Sequence, residues 1–553
     1  MNLGTDSQRK NTKVFAIGVD GGTFDIILPL VERGELPNFE RMIKQGVWGE
    51  LESTVPPFSG PAWSSFQTGK APSSHGIFDF VNKKPNSYET YYVNSTHIRG
   101  NRFWDVLGDN GLKVGIINVM VTYPPHPVNG FLLTGGLTPP GRSFAYPESL
   151  AKEITETFGD YRIWGVGGIS STEGGEEKFI NAYFANEKRR MDMAKYLMRT
   201  REWDFFMVMF EGADPLQHEL WKYIDENHPR FNSNAEEYVK QAIPSFYKEV
   251  DAFLGEMFQA LPKDSTILIM SDHGFGPLNR YLLINNFLIS IGMLKLNTNL
   301  ATRFKKVAFD RGVSLERLYR LARKLGVSRA AKAFRGGARE KMLSRLTPSF
   351  RDIDWSRTRA FAVGTGGHIY LNVRGREPQG IVEMGEEYEN VRNLIIEKLK
   401  SLTDPKAGEP AIEKVFSKEE LYTGRFFDRA PDISFLPGRG FSTLQREQFI
   451  SPSTFIDSPS CGTHRINGIM LLFGPNIESN KQIEEAKIFD LAPTILHLFG
   501  LPIPDDMDGR VLKEIFKEGS DPDRRAIIFQ KVRVEEREKL KKKIRVLKIQ
   551  GRT

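Results

Sequence analysis

The chain has 553 residues, of which 40% are hydrophobic and 26% charged, with a net charge of +7 and a sequence pI near 9.1. This balance suits a soluble globular protein of more than one domain and excludes disordered, fibrous and disulfide-framework classes. A single cysteine rules out an intrachain disulfide, and no run of about 18 apolar residues offers a membrane-spanning helix.

The charge is uneven. Residues 301–350 carry 14 Lys and Arg against 3 Asp and Glu, and residues 521–553 carry 12 against 5, so the remainder of the chain is acidic. Basic stretches of this kind are usually solvated helical faces, but they can also meet phosphate-bearing partners.

In chain order, residues 1–13 (MNLGTDSQRKNTK) read as a polar extension without an apolar secretory segment, which predicts a cytoplasmic protein. VFAIGV (14–19) reads as a strand that stops at Asp20, beside Gly21 and Gly22. In SGPAWSSFQTG (59–69), Pro61 favours a helix start and Gly69 a helix end. Ser59 therefore falls at the positive end of a short helix over 61–68. KVGIINV (113–119), WDFFMVMF (203–210) and STILIMS (265–271) are further continuous apolar strands, separated by helix-length stretches at 176–201 and 235–261. Such runs suit a sheet covered on both faces, and their alternation with helices predicts a doubly wound, mostly parallel α/β sheet. Residues 291–350 break the pattern: SLERLYRLARKLGV (314–327) has leucines at helical spacing and reads as a basic helical insertion. Strand-like runs return at 359–373, 431–436 and 468–475. The expected organisation is a core of 14–290 and 351–515, the insertion between its two parts as a cap, and a basic tail over 516–553.

Acids and histidines gather where these strands end. Asp20 follows the first strand, Asp214 and His218 follow the third in DPLQH, and Asp272 and His273 follow the fourth in SDHGF. Taken singly, each acid can be a helix cap and Ser59 a plain N-cap. Together they would repel one another at the carboxyl ends of one sheet, where ligands of open α/β sheets bind. Divalent cations resolve that repulsion, and Asp with His is a ligand set for Zn²⁺. Ser59, at a helix N-terminus that favours an alkoxide and a bound phosphate, is the candidate nucleophile.

These motifs, together with TGKAPSSHGI (68–77), CGTHRINGIMLLFGP (461–475) and IFDLAPTILHLFGLPIPDDMDGRVL (488–512), resemble the alkaline phosphatase superfamily. Within it the chain is similar to the type I phosphodiesterase/nucleotide pyrophosphatase branch, and to that branch's group of predicted phosphohydrolases or phosphomutases. The resemblance spans roughly 14–515. It implies two metal sites, one of Asp214, His218 and His464, the other of Asp20, Asp272 and His273 with Ser59 bound to it. His464 enters only through the resemblance. The implied cofactors are two divalent ions, Zn²⁺ first and Mn²⁺ second. The implied reaction is hydrolysis of a small phosphodiester or phosphomonoester through phosphoserine. The alternatives are phosphomutase or phosphotransferase chemistry on the same site, and a non-catalytic phosphate-ligand binding protein.

The chain departs from the pattern at two places. Ala62 stands where the phosphodiesterases have Asn, and Ser59 where most have Thr. SGPAW also approaches a sulfatase pattern, which needs Arg where Trp63 stands. His75 is expected to be supporting rather than ligating, Cys461 to be a small buried hydrophobe, and the arginines of RGREPQG (374–380) to lie in a surface turn or to reach a phosphate. No nucleic-acid partner is expected. The basic segments could rest on an anionic membrane.

Overall fold

The computed structural model describes residues 12–161, 175–310, 348–406, 408–444, 449 and 451–531. A ten-stranded sheet runs through its centre. In spatial order the strands are Lys481–Gln482, Val47–Glu52, Asn467–Phe473, Thr266–Met270, Val14–Val19, Phe205–Phe210, Val114–Ile117, Gly130–Leu133 and Ala145–Tyr146, with Ala486–Lys487 also paired to Val47–Glu52. The central strands are parallel; Asn467–Phe473 runs antiparallel to both of its neighbours.

The apolar runs are continuous because both faces of the sheet are covered. Phe15, Ile17, Val19, Phe206, Val208, Phe210, Ile267 and Ile269 pack into one core. Val14, Ala16, Phe205, Met207, Met209, Leu268 and Met270, the alternate residues, pack into the other. Helices Gly175–Thr200 and Ala242–Ala260 cover the first face, and Ser59–Thr68, Phe103–Asp109 and Leu491–Leu498 the second.

The register sets the site. Val19 lies opposite Phe210 and Gly18 opposite Met270, so three neighbouring strands end level. The residues that follow them, up to Asp20, Asp214 and Asp272, therefore meet at one edge.

The runs at 359–373 and 431–436 do not rejoin this sheet; only 468–475 does. Ala360–Val363, His368–Leu371, Ile433–Pro437 and Ile412–Ser417 form a separate antiparallel sheet with its own core, which includes Phe361, Ile369, Leu371, Ile395 and Ile433. A hairpin pairs with itself before anything else, and helix Glu386–Lys400 closes its apolar face locally. Strand Gly274–Leu282, which leaves the edge that carries Asp272 and His273, links the two parts: it pairs with Gly440–Thr443, Phe455–Asp457 and Gly462–Arg465, and Leu282 enters the smaller core.

The basic insertion begins at a bridge between Leu296 and Ile353 and continues into helix Leu300–Asp310. The leucine-spaced stretch 314–327 and most of the basic tail lie outside the described residues. Among those residues no helix is long and apolar enough to cross a membrane.

Candidate metal centre

Helix Ser59–Thr68 starts two residues earlier than its proline suggests, so Ser59 is itself the first helical residue. All ten residues of the helix are buried, and Gly69 ends it in the left-handed conformation with φ 65°. Asp214 sits in the first turn of helix Ala213–Leu220, and His218 follows one turn later on the same face. His464 reaches the site because of strand direction. Asn467–Phe473 is antiparallel to Thr266–Met270, so its leading residues stand at the carboxyl ends of the parallel strands. His464 then pairs opposite Phe275 in the preceding short strand.

Two sets of donor atoms result, each mutually within 4.8 Å: Asp214, His218 and His464, and Asp20, Asp272 and His273. The first is partly open, with His218 30% and Asp214 23% exposed; the second is closed, with side chains at 2% or less. In the first set, Nε2 of His464 is 3.0 Å and Nε2 of His218 3.4 Å from Asp214 Oδ1, and the two Nε2 atoms are 3.0 Å apart. In the second, His273 Nε2 lies 3.5 Å from Asp20 Oδ1 and 3.4 Å from Asp272 Oδ2. Ser59 Oγ is 3.2 Å from His273 Nε2 and 3.4 Å from Asp20 Oδ1. The rings of His273 and His464 stack at 3.7 Å and join the two sets.

The donor chemistry fits a cation in each set. Every histidine has its Nδ1 against a backbone carbonyl: His218 on Gly462 at 2.8 Å, His464 on Pro57 at 2.9 Å and His273 on Gly274 at 3.0 Å. Nδ1–H donated to a carbonyl leaves the Nε2 lone pair facing inward, as in metal-bound imidazole. Among the described residues, Asp214 Oδ1 and Asp272 Oδ2 are buried oxygens without a hydrogen-bond partner. Lone pairs so gathered need a proton or a metal ion. Four-coordinate Zn²⁺, with bonds of about 2.0–2.1 Å, sets neighbouring donors about 3.4 Å apart. The spacings above bracket that figure.

The electrostatics without an ion agree. Burial, then the charges of Asp272 and Asp214, push the Asp20 carboxyl well above its ordinary value, and the Trp63 N–H opposes this. Burial pushes Asp272 up to about 7. Burial also drives up Asp214, but His218 and His464 outweigh it and hold that carboxyl well below the carboxylate range. The same contact raises the His218 imidazole against its burial. Burial, then His464, press His273 well below the ordinary imidazole value.

Other residues take plainer places. His75 is fully buried, receives the Ile77 N–H on Nδ1 at 3.1 Å and meets Ser65 Oγ at 3.0 Å through Nε2; burial lowers its pKa to about 3. It supports the Ser59 helix from within. Cys461 is buried against Trp221 and Phe275. Arg376 is locked to Asp432 at 2.8 Å and Glu377 at 2.9 Å, whereas Arg374 makes an exposed pair with Glu383 at 2.7 Å. Ala62 packs in the apolar core.

Three supports have no obvious signal in the sequence. Phe275 places its ring 4.8 Å from that of His218, 5.6 Å from His464 and 6.3 Å from His273. Phe58 stands edge-on to His464 at 5.3 Å. Arg190 is buried between Glu187 and Glu211 and steadies the turn that leads to Asp214. Only Phe275, as the large apolar residue after the Asp–His–Gly turn, could have been suspected.

A sequence model of the type I phosphodiesterase/nucleotide pyrophosphatase family matches residues 14–449. No curated protein sequence matches the chain. Among solved structures, phosphonoacetate hydrolase from Sinorhizobium meliloti, bound to phosphonoformate, is similar at a TM-score of 0.50 and 14% identity, over 88% of this chain and 95% of that one. Murine ectonucleotide pyrophosphatase/phosphodiesterase 5 is similar at a TM-score of 0.49 and 13% identity, over 91% of this chain and 100% of that one.

Proposed function

The chain belongs to the type I phosphodiesterase/nucleotide pyrophosphatase family, and on that premise we propose that it hydrolyses phosphate esters through a phosphoserine formed on Ser59. The observation that carries this reading is Ser59 Oγ held within 3.4 Å of both Asp20 and His273 at the start of a buried helix.

The helix N-terminus presents backbone N–H groups and partial positive charge to a phosphoryl group, which favours the charge that develops there. Ser59 Oγ attacks phosphorus in line, a bond forms between them, and the ester oxygen leaves with the electrons of the broken P–O bond and takes up the proton that the serine gives up. Water then attacks the phosphoserine and returns Ser59 Oγ with a proton. His218, His464 and His273 keep their rings fixed through their Nδ1 contacts, so the inward Nε2 atoms need no reorientation during turnover. Asp214, His218 and His464 would hold one divalent ion, and Asp20, Asp272 and His273 a second. Such ions supply activation of the serine oxygen and neutralisation of the phosphoryl charge. The ligand set suits Zn²⁺ first and Mn²⁺ second. The substrate is a small phosphate ester that enters from the partly open first set.

A panel of chromogenic phosphomonoesters and diesters, assayed with Zn²⁺ and with Mn²⁺, tests the reading. Wild type should turn over at least one ester class, and Ser59→Ala should fold, still bind metal and lose about 10³-fold or more of the turnover. Near-wild-type activity in Ser59→Ala refutes the nucleophile. Release that appears only when an acceptor alcohol is added assigns the same phosphoserine to a phosphotransferase.

A further inference from the structure

Ser59 and its neighbour Asp20 belong to different elements, a helix and a strand tip, yet they must keep a separation of 3.4 Å. Trp63 spans that junction. It lies one turn after Ser59 on the same helix and is fully buried. Its Nε1–H donates to Asp20 Oδ2 at 3.3 Å, and among the described residues no other donor reaches that oxygen. The opposite rim of the indole rests on the strand itself: a Cβ at Gly18 would stand 2.6 Å from Trp63 Cη2, so the strand accepts the ring only at a glycine. Phe66, edge-on at 5.8 Å and 89°, closes the third side.

We propose that Trp63 is a positioning residue whose indole N–H fixes the Asp20 carboxylate, turning Oδ1 toward Ser59 and His273, and so sets the cation affinity of the Asp20–Asp272–His273 set. A carboxylate can present either oxygen, and in a closed site nothing but a fixed donor chooses between them. Trp63 engages Oδ2, and Oδ1 is the atom 3.4 Å from Ser59 Oγ and 3.5 Å from His273 Nε2. The contact also meets the cost of burying that second oxygen. Partners behind metal-binding carboxylates and imidazoles are typically worth about 10–100-fold in metal affinity. The inference rests on the two-cation reading above but assigns Trp63 no contact with the substrate.

The test is Mn²⁺ binding to chelator-stripped, full-length protein, followed by calorimetry. Trp63→Phe keeps an aromatic ring in the pocket and removes the N–H, but it also removes the outer indole atoms over Gly18, so Phe66→Leu serves as the control for lost packing. Wild type should bind at two sites, and in Trp63→Phe one of them should weaken by about 10–100-fold while the other stays within about twofold. The Mn²⁺ concentration for half-maximal hydrolysis should rise by the same factor. Phe66→Leu, which loosens the same pocket without touching the hydrogen bond, should leave both affinities unchanged. Two unchanged sites in Trp63→Phe, or equal weakening in Phe66→Leu, overturn the role of the N–H. If Trp63→Phe does not fold, Gly18→Ala pushes the indole away from the other side and must weaken the same site; unchanged binding there overturns the proposal. Wild type that binds no Mn²⁺ removes the two-cation reading itself, a result distinct from all of these.

Discussion

Asp272 has its carboxyl raised to about 7 by burial, whereas an unfolded chain releases that proton near 3.9. Between those values the folded, metal-free protein holds a proton that the unfolded chain has lost, so its stability falls as pH rises through the window, by at most about 1.4 kcal/mol per pH unit for one group. A cation takes the proton's place, and His218, raised by Asp214, must also lose its proton before it can bind one. The gain in Tm on adding Mn²⁺ to stripped protein should therefore be larger at about pH 7.5 than at about pH 5.5. A gain that is flat or falls with pH contradicts the assignment of these groups as ligands. Asp20, Asp214, His218, Asp272 and His273 were legible in the sequence because each follows an apolar strand, and strand ends are where such a sheet exposes side chains; His464, which precedes the strand Asn467–Phe473, was not. Trp63 was legible only as a residue that does not fit a sulfatase. Its hydrogen bond depends on how a helix lies across a strand, which no local pattern encodes.

Direction decides the role of each element. The parallel strands end level, and Asn467–Phe473 enters against them; that reversal brings His464 in, and an apolar run alone does not reveal it. The hairpin formed by Ala360–Val363 and His368–Leu371 shows a second such dependence. Its tip packs against Pro56 and Phe58, just before Ser59, where a Cβ at Gly366 would come within 2.5 Å of Pro56 Cγ. Buried Asp79 holds it there, accepting the N–H groups of Thr365 at 2.7 Å and Gly366 at 2.8 Å, and that of Val81 at 3.3 Å. Asp79→Ala strands these donors and should cost about 2–3 kcal/mol, read as a lowered denaturant midpoint. A midpoint unchanged from wild type contradicts the anchoring role. The sequence showed strand-like runs at 359–373 and 431–436 but not which sheet receives them, because antiparallel hairpins and core strands share the same short apolar signal.

Across the whole molecule, the alternation of apolar strands and helices predicted the covered sheet, and the two alternating cores explain why those strands are apolar at almost every position. Charge adds a separate expectation. The basic stretch at 301–350, set against an acidic bulk, is expected either to be a solvated face or to draw anionic substrate to the site. Arg320, Arg323 and Lys324 lie outside the described residues, so the expectation stands on sequence. Reversing their charges should raise KM for a polyanionic ester with little change for a small diester, and wild-type kcat/KM for the polyanion should fall with added salt. Equal effects on both substrates, or no salt dependence, return the stretch to a solvated basic face. The basic tail and helix Leu300–Asp310, which exposes Leu300, Phe304 and Val307, belong to the same question of what the basic segments meet.

The most direct test of the central claim is one titration of chelator-stripped protein with Zn²⁺ or Mn²⁺, with bound metal and ester hydrolysis read from the same samples. Two donor sets that share one nucleophile predict two equivalents bound, with hydrolysis absent from the stripped protein and appearing as the second set fills. Full hydrolysis in the stripped protein, or none after two equivalents are bound, contradicts the account.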